Sequence, residues 1–163
     1  MTLIGHRCYL LALSAAKRGD LSAAARLAAC ALSLDETQDN ARRLLGLCLY
    51  ELGDLETAAG VLAACPDLAD AAREACALTR AGLDEAERLA RRGKWRAALS
   101  AADKIPHQSA RLLNIRGCIL AGAKRYVKAG RLFAEAMEKD TGSRFAPACL
   151  METAKRAKSF WEL

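Results

Sequence analysis

The feature that most constrains this chain is a six-residue pattern that occurs four times. It reads turn residue, charged residue, large apolar residue, two variable positions, then Ala. The copies are Gly19-Asp20-Leu21-Ser22-Ala23-Ala24, Gly53-Asp54-Leu55-Glu56-Thr57-Ala58, Gly93-Lys94-Trp95-Arg96-Ala97-Ala98 and Lys124-Arg125-Tyr126-Val127-Lys128-Ala129. Successive turn residues lie 34, 40 and 31 positions apart. A signal that recurs every 20–50 residues or so marks a chain built from supersecondary units, each too small to bury its own apolar face.

Composition decides what the unit is. The 163 residues include 36 Ala and 26 Leu, the strongest helix formers, few β-branched residues and three prolines. Pro66, Pro106 and Pro147 fall between helical segments or at a helix start, where a missing N–H does no harm. The expected class is all-α. With aromatics at 5%, the core must be built from small side chains, which lets helices approach closely.

Apolar periodicity then places the elements. A first helix over 4–18 stops at Gly19, and Asp20 caps a second over 21–34. Asp39 is the expected cap of a helix over 40–52, which Gly53 ends, and 55–64 follows before Cys65-Pro66. After Asp67 as cap, Leu68, Ala72, Cys76, Thr79, Leu83, Ala86 and Ala90 keep one helical phase without interruption. One long helix over 67–92 is therefore expected, with Gly82 as its weak point. Helices over 95–104, 108–122 and 126–139 complete the pattern. A last one over 146–160 is expected to pack Leu150, Ala154, Ala157 and Trp161 inward and to turn Lys155, Arg156 and Lys158 to water. Phe160-Trp161-Glu162-Leu163 is expected to pack as well. The chain thus reads as a single domain, 1–163, of four hairpins (4–34, 39–64, 67–105, 108–140) and a capping helix over 146–160.

The pattern resembles the tetratricopeptide repeat, a 34-residue helical hairpin. The small residue of its first helix is matched by Ala12, Gly46, Ala86 and Gly117, and that of its second by Ala24, Ala58, Ala98 and Ala129. The turn is matched by Gly19, Gly53, Gly93 and Lys124, and the large residue after it by Leu21, Leu55, Trp95 and Tyr126. A large or small apolar residue follows at Ala28, Leu62, Ala102 and Phe133. The family's first-helix aromatic is absent, with Cys8, Arg42, Gly82 and Leu113 in its place, and its closing Pro is missing. The resemblance covers residues 5 to about 140 and implies a right-handed superhelical solenoid of about four hairpins.

It also implies a non-enzymatic scaffold or adaptor that takes a partner peptide or helix in a groove lined by first helices. The corresponding positions are Tyr9, Leu13 and Lys17; Asn40, Arg43, Leu47, Tyr50 and Glu51; Arg80, Leu83, Glu87 and Arg91; and Arg111, Asn114 and Cys118. A mixed apolar and basic lining suits a partly acidic protein partner. The Lys and Asn pair with which some members grip chaperone tails is replaced by Tyr9 and Leu13, so that clamp is absent. In length and repeat number the chain also resembles the tetratricopeptide chaperones of bacterial secretion systems. Those are usually acidic, and this chain carries a net charge of +6.

The charge is uneven. Residues 1–66 hold six Lys/Arg against seven Asp/Glu, and 67–163 hold nineteen against twelve, or −1 and +7. Arg91, Arg92, Lys94 and Arg96 surround one hairpin turn, and Lys124, Arg125, Lys128 and Arg131 the next. Together they predict one basic edge that would attract an acidic protein, a membrane surface or nucleic acid. Nucleic acid ranks last, because Trp95 and Tyr126 are the edge's aromatics and repeat packing already uses them.

No phosphate loop, metal motif or nucleophile motif appears, and His6 and His107 lie far apart in sequence, so neither catalysis nor a cofactor is expected. Gly117-Cys118 has no base beside it. Seven cysteines without CxxC spacing, most beside Ala and Leu on apolar stripes, read as small buried hydrophobes in a reducing compartment. No apolar run reaches the ~20 residues of a membrane span. The stretch from Arg7 to Ala16 has the outline of a short signal-peptide core but falls in register with the first repeat. The expected location is cytoplasmic. Open-ended repeats can pair through terminal helices, so a homodimer is among the expected assemblies.

Overall fold

The computed structural model describes the backbone of residues 3–161 and the side chains of residues 3–157. Among these residues the chain is all-α, with nine helices. They are α1 (Leu3–Lys17), α2 (Leu21–Leu34), α3 (Asp39–Leu52), α4 (Leu55–Leu62), α5 (Ala69–Arg91), α6 (Trp95–Asp103), α7 (Ala110–Gly122), α8 (Tyr126–Lys139) and α9 (Phe145–Trp161).

The recurring six-residue pattern sits at four turns of one design. Gly19, Gly53, Gly93 and Lys124 all have left-handed backbone, with φ of 78°, 88°, 70° and 60°. The residue after each donates its N–H to the carbonyl five positions back. These bonds are Asp20 to Ala15 (3.0 Å), Asp54 to Leu49 (2.9 Å), Lys94 to Leu89 (3.0 Å) and Arg125 to Leu120 (2.8 Å). A left-handed residue followed by this bond closes a helix and satisfies a carbonyl that would otherwise be orphaned. The aspartates then start the next helix, Asp20 accepting from Ala23 N–H and Asp54 from Thr57 N–H, whereas Lys94 offers no such cap.

The chain forms two compact units, which divide within α5. The first comprises residues 1–77 with Asp140–Gly142. Here α1 packs on α2, α2 on α3 and α3 on α4, and α1 also reaches α3. One cluster of its core is Ala15, Ala24, Ala25 and Cys48, ringed by leucines such as Leu21, Leu44 and Leu45. Thr141 N–H donates to the Gly19 carbonyl at 2.9 Å, fastening Asp140–Gly142 to the α1–α2 turn. The second unit comprises residues 78–139 and 143–163. There α6 packs on α7, α7 on α8, and α9 on both α8 and α7.

Within a hairpin the fit is set by side-chain size. A methyl group on Gly46 would come within 2.4 Å of Leu62, and one on Gly117 within 2.6 Å of Phe133. The equivalent pairs in the other two hairpins are Ala12 with Ala28 and Ala86 with Ala102, all four fully buried. Glycine therefore faces a large side chain in two hairpins, while the corresponding positions of the other two are all small and buried.

α5 runs unbroken through Gly82. That glycine makes room for Ile105, which a Cβ would meet at 2.6 Å. The expected inward stripe is observed: Ala72, Cys76, Thr79, Leu83 and Ala86 are buried, and Leu68 and Ala90 half-buried. Three local expectations are corrected. Asp39 opens α3 rather than capping it; Gln38 stands at the cap, and Asp39 instead pairs with Arg42 at 2.6 Å. Asp67 makes an ion pair with Arg43 at 2.9 Å. On α9 the inward face carries Ala146, Cys149, Leu150 and Thr153, while Ala154 is exposed. Lys155 and Arg156 are exposed as expected. The expectations for Lys158, Trp161 and the Phe160-Trp161-Glu162-Leu163 tail lie outside the described side chains.

No helix of the described residues is long and apolar enough to cross a membrane. Hairpin geometry and small-residue packing account for the architecture of each unit.

Candidate functional site

In the second unit, residues of α5, α6, α7 and the start of α9 line a cleft of about 410 Å³. Helical spacing brings its polar groups together. Glu87 and Arg91 are four apart on α5, and Arg111, Asn114 and Cys118 recur at three and four on α7, so each set shares one face. Ala90, Ile115 and Ile119 supply an apolar floor, and Trp95 and Phe145 bring aromatic surface.

Glu87 divides its carboxylate between two guanidinium groups, Arg111 at 3.4 Å and Arg91 at 3.5 Å. Both contacts are long and partly exposed, so each holds weakly, at about 1 kcal/mol or less. One carboxylate between two guanidinium groups leaves a net positive charge and spare N–H donors at the rim. Asn114 is only 8% exposed, and its Oδ1 accepts no hydrogen bond among the described residues. A buried carboxamide without a partner costs on the order of 1–3 kcal/mol, and this one lines the cleft.

Cys118 is exposed at the cleft, yet desolvation of its thiol by the surrounding helices pushes it up to about 11, with Cys149 adding to the rise and Arg111 opposing it. That is the reverse of the shift that activates a nucleophilic cysteine. Among the described residues no group of His, Cys, Asp and Glu could hold a metal ion.

Of the residues selected from sequence, Glu87, Arg91, Arg111, Asn114 and Cys118 converge on this cleft. Arg80 is exposed on the same helix but is not part of the lining. Leu83 must be set apart: at 7% exposed it belongs to the core stripe and offers no surface. In the first unit, Asn40, Lys17 and Leu47 are exposed, Leu47 at 57%, and Tyr9, Leu13, Tyr50 and Glu51 are half-buried. Arg43 there is half-buried and bound to Asp67.

Phe145 lines the cleft without any repeat position to mark it. Sequence places it just before a helix with proline in its first turn, and its 48% exposure was the missing clue. The cleft is also smaller than a second one of about 720 Å³ between α5 and α6, lined by Leu78, Gly82, Leu89, Ile105 and others. That larger groove carries little beyond Glu85 and Lys104 to orient a ligand.

Beside the 410 Å³ cleft lies the basic edge. Trp95, at the start of α6, packs where a Cβ on Gly122 at the end of α7 would meet its ring at 2.7 Å. This contact sets the 91–96 turn next to the 124–128 turn. Arg91, Arg92, Lys94, Arg96, Lys124, Arg125, Lys128 and Arg131 are all exposed. Only Arg91 among them has an ion-pair partner within the described residues.

No protein-family model matches the chain, and no curated protein matches it.

Proposed function

We propose that this chain is a tetratricopeptide-type scaffold that binds a partner protein and performs no chemistry of its own. Its hairpins would stack as a right-handed superhelical solenoid, and it would work in the cytoplasm. The observation that carries the reading is the convergence of Glu87, Arg91, Arg111, Asn114 and Cys118 on one cleft. An apolar floor, weakly engaged guanidinium groups and an unpartnered carboxamide make a recognition surface, whereas a catalytic site would need an activated base or nucleophile. The four equivalent turns and the size-matched pairs support the repeat reading.

The test is a pull-down from native lysate with the tagged chain, beside an Arg111→Glu variant of matched melting temperature. A protein captured by the wild type, resistant to nuclease and lost from the variant supports the reading. Identical captures by both, or nuclease-sensitive material alone, would refute it.

A further inference from the structure

We infer that the cleft of the second unit and the basic edge beside it together take an extended acidic segment of a partner protein. One apolar side chain of that segment sits in the cleft, and its carboxylates run out over the edge. This rests on the scaffold reading and adds the chemistry of the partner.

Three independent observations point the same way. The floor of Ala90, Ile115 and Ile119 with the rings of Trp95 and Phe145 is apolar and sized for one or two side chains, at about 410 Å³. Next, the Asn114 carboxamide lines that cleft with its acceptor unsatisfied. Rotation about its last bond presents either Oδ1 or Nδ2, so it can meet the N–H or the C=O of an extended backbone. Finally, Arg91 and Trp95 belong both to the cleft and to the 91–96 turn, which adjoins the 124–128 turn through the Trp95–Gly122 contact. A chain leaving the cleft at Arg91 therefore passes onto exposed Arg92, Lys94, Lys124 and Lys128.

Opposite charge along that exit favours carboxylates and speeds encounter. The edge suits nucleic acid less well. Its two aromatics, Trp95 packed against Gly122 and half-buried Tyr126, do not stand free on the edge as a stacking platform for successive bases.

The test is selection of random twelve-residue peptides, displayed on phage, against the intact chain. Enriched peptides are then synthesised with a fluorophore and titrated by anisotropy. The expected motif is an apolar residue with two or more Asp or Glu on one side. Asn114→Leu should weaken binding about tenfold without changing its salt dependence. The Arg91→Glu, Lys124→Glu double variant should weaken it at least tenfold and flatten the salt dependence. Melting temperatures at or above that of the wild type for Asn114→Leu would show that the fold is intact.

Enriched peptides that are apolar and Asn114-dependent but lack acids would overturn the acidic partner and leave the scaffold reading standing. An oligo-dT strand that binds more tightly than any peptide, unaffected by Asn114→Leu, would overturn the inference in favour of nucleic acid. Failure to enrich any peptide, with no partner captured in the pull-down, would count against both.

Discussion

Gly117 is the sharpest test of how these hairpins are built. A methyl group at this position would lie 2.6, 2.8 and 3.0 Å from Cε1, Cζ and Cδ1 of Phe133. Ordinary carbon contacts are about 3.5–4.0 Å, so the ring would have to retreat by about 1 Å. It has nowhere to go, being 1% exposed and packed with Leu120 and Ala129 against Leu99, Cys149 and Leu150. Overpacking of this kind costs about 1–3 kcal/mol, and a rigid ring belongs at the upper end. Replacing a mid-helix glycine by alanine returns about 1 kcal/mol of helix propensity. Gly117→Ala should therefore destabilise by about 2 kcal/mol, against the direction of propensity.

Phe133→Ala alone should cost about 3–5 kcal/mol through the cavity it leaves. In that background the same Gly117→Ala has room and should now stabilise by about 1 kcal/mol, giving the two-alanine composition that the corresponding positions Ala12 and Ala28, and Ala86 and Ala102, already have. Urea denaturation followed by circular dichroism measures all four corners of the cycle, with a coupling of about 3 kcal/mol expected. If the two substitutions add to within about 0.5 kcal/mol, the size-matching account is wrong.

Lys124 holds a left-handed backbone at the turn where the other three copies carry glycine, so Lys124→Gly should stabilise by about 1 kcal/mol in the same assay. Burial raises the Asp140 carboxyl above its ordinary value of 3.8, with Asp20 nearby adding to the rise and the Gly142 N–H opposing it. A raised carboxyl favours the folded state at low pH, and that support is lost as pH climbs through the folded value. Asp140→Asn should therefore stabilise at pH 7, and the gain should vanish as pH falls through 4, read as melting temperature against pH. Burial also lifts the Cys48 thiol to about 11. Timed iodoacetamide labelling at pH 8 with mass spectrometry should modify exposed Cys30 well before buried Cys48, and Cys48 should react at that rate only after unfolding.

Much of the architecture was legible because it is local. α2 and α8 occupy the residues that their periodicity indicates, and the unbroken stripe from Leu68 to Ala90 proved better evidence than Gly82, whose role is to admit Ile105. Periodicity is weaker at choosing between neighbouring stripes. On α9, where Ala is common, it favours Ala154 over Cys149 and Thr153; on α5 it put Leu83 on the buried stripe, where the structure has it, and only repeat position set Leu83 in the groove. Caps follow from backbone geometry, so the role of Ser109 at the start of α7, accepting from Leu112 N–H at 3.1 Å, does not show in apolar periodicity. Contacts between distant residues leave no local trace. The Thr141–Gly19 bond, the division within α5 and the presence of Phe145 in the cleft are of this kind. The cleft was half legible: its helix-borne polar residues followed from repeat position, while the unpartnered state of Asn114 depends on which neighbours failed to supply a donor.

The central claim is that a partner protein is held in the cleft of the second unit. Hydrogen–deuterium exchange on the chain with and without a captured partner tests it most directly. The account predicts slowed exchange in peptides covering 87–95 and 111–119, with unchanged exchange around Asn40 and Leu47. Protection confined to the first unit, or none in the cleft under saturating partner, would contradict it.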